Sequence, residues 1–401
     1  MAGKISFLLG AGISIPAGFS TTNEITSRIL SGEGIIHHDD STYYFDNSLP
    51  IGMHNFDVYV NRVILLLKKL LLEINNYYLY DFNAHCPNYE DLYYVVNQLH
   101  DSELREYENP VVGAFLEKII LDIWRINSQN YPGDASGSWD LNKLLGEAQN
   151  YIRDVVWRML QKEITKTDHL KSICDACLDQ DIEKVDIFTL NHDLLLETAL
   201  NTSSIPYNIG FSKQINHVRY WHPKWFEKNN TKVRLLKLHG SIDWFIFPSN
   251  EYSYGPEATG ISDSGDIWHT VDPNGNSQTP AGGRPIFLAG TFNKMLHYTS
   301  AIFADLHYLF RQSIRSVEDL IVCGYGFGDK GINSQIIEWM SQSSNKHLTL
   351  IHKDPRELRQ KSRGAIMNNW NDWERQGRLS IIEAFIEDVS WQDIKLLLKA
   401  N

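Results

Sequence analysis

Seven short stretches, residues 5–9, 185–190, 234–238, 285–288, 319–323, 347–352 and 379–384, are dominated by apolar and β-branched side chains and break off at or near Gly, Asn, His or Asp. A strand with one face in water alternates apolar and polar positions. Unbroken hydrophobicity therefore predicts strands covered on both faces, as in a parallel sheet held between layers of helix. Helical spacing follows most of these stretches. After the first, Thr21, Thr22, Asn23 and Glu24 read as a helix entry, with Thr at the cap and Glu close behind, continuing through Ile25, Ile29 and Leu30. Strand, Gly-rich turn and helix in that order define a doubly wound α/β protein.

Between residues 57 and 179 the texture changes. Apolar side chains fall at helical spacing (Val60, Val63, Ile64, Leu67, Leu71; Leu116, Ile119, Ile120, Ile123; Ile152, Val155, Val156, Met159) and strand-like runs almost vanish. The expected organisation is an α/β domain over 1–56 and 180–355, a helical insertion over 57–179, and a C-terminal segment, 356–401, packing on the core. Residues 131–139 read as a loop inside the insertion. Residues 249–283 are too rich in Gly, Pro, Ser and Asp for regular structure.

Composition narrows the function. With 43% hydrophobic and 12% aromatic residues in 401, the chain can bury one or two cores, which excludes disorder as the dominant state. The formal charge of −12 argues against a broad phosphate-binding surface, so nucleic acid is not an expected direct partner. Four cysteines, Cys86, Cys174, Cys177 and Cys323, are too few for a disulfide scaffold and fit a reducing compartment. The apolar start at 5–10 ends in glycine rather than in a cleavage site. The most apolar later stretch, 63–72, is broken by Lys68 and Lys69 and falls short of the roughly 20 residues a membrane span needs. A cytoplasmic protein with no membrane partner is expected.

Chemistry-bearing residues gather at the ends of the expected strands. Gly10-Ala11-Gly12-Ile13-Ser14 follows the first and precedes a helix, where glycines let a backbone approach a pyrophosphate and a helix N-terminus offers amide donors. The dinucleotide fingerprint wants a further Gly where Ile15 stands, which weakens an ordinary dehydrogenase reading. Asn191-His192-Asp193 ends the second stretch, and His239-Gly240-Ser241-Ile242-Asp243-Trp244 ends the third. Gly324-Tyr325-Gly326-Phe327-Gly328-Asp329 ends another and runs through Asn333 toward a helix. The C-terminal edge of an open parallel sheet is where ligands bind, which would set Asn191, Asp193 and His239 beside the Gly10–Ser14 turn. Elsewhere, His37-His38-Asp39-Asp40 reads as a solvated loop rather than a metal site. The aromatic stretch between His217 and Trp225-Phe226 reads as packing. The helix over 60–72, apolar on more than one face, suggests contact with another subunit and hence a homo-oligomer.

Taken in order, Gly10-Ala11-Gly12-Ile13-Ser14, Thr189-Leu190-Asn191-His192-Asp193, Lys237-Leu238-His239-Gly240-Ser241, and Gly324-Tyr325-Gly326-Phe327 with Ile332-Asn333 resemble the motifs of the sirtuin fold. Specifically, they resemble its bacterial sirtuin-like NADase branch found in antiphage defence systems. Residues 288–294 resemble a segment of that branch as well. The likeness covers the sheet-forming parts of residues 1 to about 355; the helical interval and the tail carry no signature. It implies an α/β fold with a Rossmann-like parallel sheet of the sirtuin type, interrupted by a large helical insertion, and NAD+ as substrate. Sirtuin deacetylases carry two C-x-x-C pairs after the His-Gly element, whereas here one pair, Cys174 and Cys177, precedes Asn191. One pair cannot complete a tetrahedral site of four cysteines, so no structural zinc is expected. The deacetylases also carry a Pro-Asp-Phe-Arg element where this chain reads Ile15-Pro16-Ala17-Gly18-Phe19-Ser20. Both departures favour water over acyl-lysine as acceptor.

The resemblance implies His239 as general base, Asn191 holding the attacking water and the ribose, and Asp193 orienting the nicotinamide side. It places Gly10, Ala11, Gly12 and Ser14 at the diphosphate, with Gly324, Tyr325, Gly326 and Asn333 on the adenosine side. Such an NAD+ glycohydrolase would deplete NAD+ in infected cells, regulated by assembly, by a HerA-type hexameric ATPase or by a phage protein. Other readings are a non-hydrolysing NAD or ADP-ribose sensor controlling a partner effector, or an ADP-ribosyl transferase or deacylase.

Overall fold

The computed structural model describes residues 3–45, 57–78, 86–106, 109–128, 139–212, 217–228, 231–248, 257–262, 267, 270–271 and 275–398. The chain forms two compact units. One comprises Met1–Phe19, Lys162–Leu288 and Met295–Asn401, the other Ser20–Gln161 with Ala289–Lys294. The expected loop at 131–139 lies outside the described residues except for Trp139, as does much of the 249–283 interval.

The first unit is built on seven strands: β1 (Gly3–Leu9), β2 (Ile182–Thr189), β3 (Tyr207–Asn208), β4 (Val233–Lys237), β5 (Asp319–Cys323), β6 (His347–Ile351) and β7 (Leu379–Ile382). They pair in the order β7-β6-β5-β1-β2-β4-β3, and every pairing is parallel. The expected α/β class with a Rossmann-like parallel sheet is borne out. Both faces are dry: Phe7, Leu8, Leu9, Phe188, Leu236, Leu320 and Val322 are almost wholly buried. Each such side chain contributes about 1.5–3 kcal/mol of burial.

Register then decides where function can lie. Leu9 pairs with Thr189 on one side and with Cys323 on the other, and Thr189 pairs with Lys237. Four strands thus end on one line, and the loops after them leave the same edge side by side. From β1 the chain builds outward through β2 to the edge strand β3, returns to β4 between them, then crosses back to β5 on the other side of β1. The β1/β5 border is the topological switch point, where a crevice opens in sheets of this kind.

Two expectations about strands need correction. Residues 285–288 do not enter the sheet; Phe287 makes a single antiparallel bridge to Gly240. The stretch instead crosses the loop after β4, Leu288 N donating to His239 O at 2.8 Å and Ser241 N to Ile286 O at 3.1 Å. Residues 249–283 are not wholly irregular either. Glu257–Ser262 is the middle strand of a three-stranded antiparallel sheet with Val218–Tyr220 and Trp244–Pro248. Its glycine fits because a Cβ at Gly260 would come within 2.8 Å of both Val218 and Phe247.

The second unit is mainly helical: α1 (Thr22–Ser31), α2 (Asp57–Tyr78), α3 (Tyr89–Glu103), α4 (Pro110–Asn127) and α5 (Leu141–Leu160), with a hairpin of Ile35–His37 and Tyr43–Phe45. Thr21 and Glu24 form the expected capping box of α1. The helix expected to face another subunit, α2, buries Val63, Leu66, Leu67 and Leu70 within its own unit. His37 and His38 are not solvated: His37 stacks on Tyr59 at 4.0 Å, and His38 Nδ1 accepts from Asp40 N. No helix among the described residues is long and apolar enough to cross a membrane.

The tail of the first unit is tied down electrostatically. Asp179, ahead of β2, accepts from Trp391 Nε1 at 2.6 Å and from Lys395 Nζ at 2.8 Å. Burial alone would raise this carboxyl, but the Lys395 and Trp391 hydrogen bonds outweigh it and hold the group at about 2, against an ordinary 3.8. A carboxyl depressed on folding adds stability above its unfolded value, and that stability is lost as pH falls through the folded value. Asp179→Asn should therefore melt below the parent at pH 6, and the gap should close as pH falls from about 4 toward 2, read by thermal denaturation across pH.

Candidate active site

Two glycine turns meet at the switch point. Gly10 N donates to Cys323 O at 3.0 Å and Gly12 N to Gly324 O at 2.9 Å. A Cβ at Gly10 would sit 2.5 Å from Gly324 O, and one at Gly12 2.8 Å from Gly324 Cα. Gly324, at φ +65°, would place its own Cβ 2.6 Å from Ile13 N. All three positions need glycine for backbone-on-backbone contact, and Gly324 also for its left-handed conformation. The first turn leads into a seven-residue 3-10 helix, Ala11–Ala17, closed by left-handed Gly18, ahead of the expected α-helix that starts at Thr22. Two side chains hold it. His169 Nε2 donates to Ile13 O at 2.8 Å, from an imidazole that burial holds below its ordinary value, and Lys162 Nζ donates to Gly18 O at 2.7 Å. Ala11 and Gly12 are exposed while Ser14 is buried.

The loop after β2 locks onto this turn. Asn191 Nδ2 donates to Gly10 O at 3.2 Å and to Ser14 Oγ at 2.9 Å, and Ser14 Oγ donates to Asp193 Oδ2 at 2.7 Å. The other oxygen of Asp193 accepts from Leu195 N, the first amide of the helix Leu195–Thr202, at 3.0 Å. Asn191 is 6% exposed, and its Oδ1 is buried with no hydrogen-bond partner. Lys237, at the end of β4 and 2% exposed, donates to Asp193 O and, at 2.9 Å, to Glu197 Oε1. Burial pushes the Glu197 carboxyl up, partly opposed by Lys237.

His239 heads a second polar cluster. Its Nε2 lies 3.0 Å from Tyr298 Oη and 3.2 Å from Asp329 Oδ2, and the Tyr298 hydroxyl donates to the same Asp329 oxygen. His307 stacks on Tyr298 with ring centres 3.6 Å apart, and burial, reinforced by His239, drives its imidazole down to about 3. Its Nε2 donates to Leu238 O, the carbonyl just before His239.

The loop after β5 is braced from within. Tyr325 Oη donates to Asn333 Oδ1 at 2.8 Å, and Asn333 Nδ2 donates to Phe327 O at 2.8 Å. Tyr325 and Asn333 therefore shape this loop, whereas Gly326 is exposed with open space where a Cβ would stand. Among the described residues no group of three or more His, Cys, Asp and Glu could hold a metal ion. Cys174 and Cys177 are free and buried on the helix Lys171–Leu178, and burial lifts the Cys177 thiol to about 12.

The structure brings Gly10, Ser14, Asn191 and Asp193 into one hydrogen-bonded group. It sets His239 with Tyr298 and Asp329, residues the motifs did not single out. A signal for Asp329 was present, since it ends the Gly324–Asp329 element. For Tyr298 the nearest signal is Gly331, a glycine in the first turn of the helix Lys330–Ser341.

Residues 185–374, a little under half of the chain, match the family model of the SIR2-like domain. That span carries Asn191, Asp193, His239 and the 324–333 loop, and is similar to the SIR2-like domain. No curated protein matches the chain. Similar solved structures include a mutant Sir2 homologue in complex with ADP-ribose, at 10% identity and TM-score 0.38, covering 99% of this chain and 95% of that one. A Sir2 homologue–NAD complex aligns at 10% identity and TM-score 0.37, covering 98% and 89%.

Ser14 is the hinge of the first group, donor to one loop side chain and acceptor from another. Ser14→Ala leaves Asp193 Oδ2 and Asn191 Nδ2 short of a partner inside the protein and should cost about 1–3 kcal/mol, measured by urea unfolding.

Proposed function

We propose that the protein is an NAD+ glycohydrolase, splitting NAD+ with water into nicotinamide and ADP-ribose. The observation that carries this reading is the Asn191 carboxamide. Its nitrogen is fixed by Gly10 and Ser14, and its oxygen is a buried acceptor with no donor. Such an orphan costs about 1–3 kcal/mol, a cost that a water or ribose hydroxyl donating to it removes. The exposed backbone at Ala11 and Gly12, with Ser14 behind it, suits the diphosphate, and the open Gly326 with the Gly324–Asn333 loop suits the adenosine side.

The chemistry is a substitution at the ribose carbon that carries nicotinamide. The carbon–nitrogen bond breaks with its electron pair passing to the ring nitrogen, which neutralises the pyridinium. Water held by Asn191 forms the new carbon–oxygen bond, and its proton passes to His239 and from there to solvent. An imidazole suits that task near neutral pH. Asp193, by fixing Ser14 and the Asn191 loop, sets the nicotinamide side of the site. The SIR2-like match over 185–374 supports NAD+ as the substrate class. Buried Cys174 and Cys177 on a helix offer no zinc ribbon of the deacetylase kind. The resemblance of the motifs to bacterial sirtuin-like NADases extends the proposal to an antiphage effector activated by a HerA-type ATPase or a phage protein, and the low cysteine count suits a cytoplasmic setting.

The purified chain should release nicotinamide and ADP-ribose from NAD+, followed by chromatography with and without a candidate ATPase. Asn191→Ala and His239→Ala should each lose at least about 100-fold in rate while melting as folded proteins. Full turnover in both variants would remove the assignment. Binding of NAD+ without nicotinamide release in the parent would replace it with a sensor.

A further inference from the structure

We infer that Asp329, together with Tyr298, is the positioning residue that fixes the tautomer of His239 and makes Nδ1 its basic nitrogen. The inference rests on the reading of His239 as the base. It follows from counting protons. The Tyr298 hydroxyl gives its one proton to Asp329 Oδ2, so toward His239 Nε2, 3.0 Å away, its oxygen can only accept. The Asp329 carboxylate, 3.2 Å from the same nitrogen, also only accepts. With two acceptors facing it, Nε2 carries the proton, and in the neutral ring the lone pair sits on Nδ1.

The seat for this arrangement is built into the fold. A Cβ at Gly331 would come within 2.5 Å of the Tyr298 ring, so the first turn of the helix Lys330–Ser341 carries a glycine. Asp329 is held from its other end as well: Oδ1 accepts from Ile332 N at 3.0 Å, and its backbone N donates to Tyr325 Oη at 3.2 Å. Among the described residues, the titratable groups around His239 include Tyr298, Asp329, His192 with ring centres 6.4 Å away, and His307 stacked on Tyr298. His307 is uncharged, because burial holds it at about 3, and so does not compete for the carboxylate.

During turnover Nδ1 takes the proton from water or a ribose hydroxyl while Nε2 keeps its own. The imidazolium then faces the Asp329 carboxylate, which stays ionised, and the proton leaves from Nδ1 to solvent.

The test uses the full chain with ¹⁵N-labelled histidine and no substrate. The neutral ring of His239 should show the Nε2–H tautomer, and Asp329→Asn and Tyr298→Phe should both shift population toward Nδ1–H. Asparagine keeps an oxygen for Ile332 N, and phenylalanine keeps the ring on His307, so both variants retain the local fold. With NAD+, kcat should fall by roughly 10²–10⁴-fold in Asp329→Asn with KM little changed. The acid limb of its pH profile should move to lower pH, because the imidazolium loses its counter-charge. An Nδ1–H tautomer in the parent overturns the inference, as do an unmoved tautomer and kcat in both variants. A parent that holds the Nε2–H tautomer yet releases no nicotinamide defeats the glycohydrolase reading alone and leaves the positioning by Asp329 standing.

Discussion

The contact of Gly10 and Gly12 with Gly324 is the constraint on which the site depends. Two backbone turns approach so closely that no side chain fits at any of the three positions. Because the turns follow adjacent parallel strands whose register ends level at Leu9 and Cys323, the contact pins the border of the sheet where the chain reverses its direction of growth. The adjoining loop from β2 is then fastened to the same turn through Asn191 and Ser14. The register shift in the β1–β2 pairing lies at the far end, between Gly3 and Lys4, and leaves the site ends of the strands level.

The buried polar groups divide into two networks with different characters. Around Ser14 the bonds are mostly structural: they join loops, meet the first amide of a helix and leave Asn191 Oδ1 unsatisfied. Beneath them Lys237 bridges a backbone carbonyl and a half-buried Glu197, an ion pair that holds the Asn191–Asp193 loop against the end of β4. Around His239 the bonds converge on one nitrogen and one carboxylate. Buried networks of this sort are stiff when satisfied and costly when broken.

Six of the seven sheet strands were legible in the sequence, because strands buried on both faces show as unbroken apolar runs. The seventh, Tyr207–Asn208, is two residues at the sheet edge and too short to show any pattern. Residues 285–288 carry the same hydrophobic signal as a central strand, yet they are buried by crossing a loop rather than by pairing; composition cannot separate the two. Asn191, Asp193 and His239 were legible because each follows a strand within a motif. Tyr298 was not, since it reaches His239 from a segment nearly sixty residues downstream with no periodicity of its own. Lys237 was hidden differently: a lysine inside an apolar stretch reads as an interruption until Glu197 is seen beside it.

The site draws Gly10, Asn191, His239 and Asp329 from positions scattered along most of the described chain. A polypeptide leaving the ribosome therefore cannot form the His239–Asp329 pair until residue 329 has emerged, and contacts of such long range are the slow ones to form. Any activity that needs this pair stays switched off throughout the greater part of translation. Truncation products that stop short of the β5 loop lack the pair for the same reason.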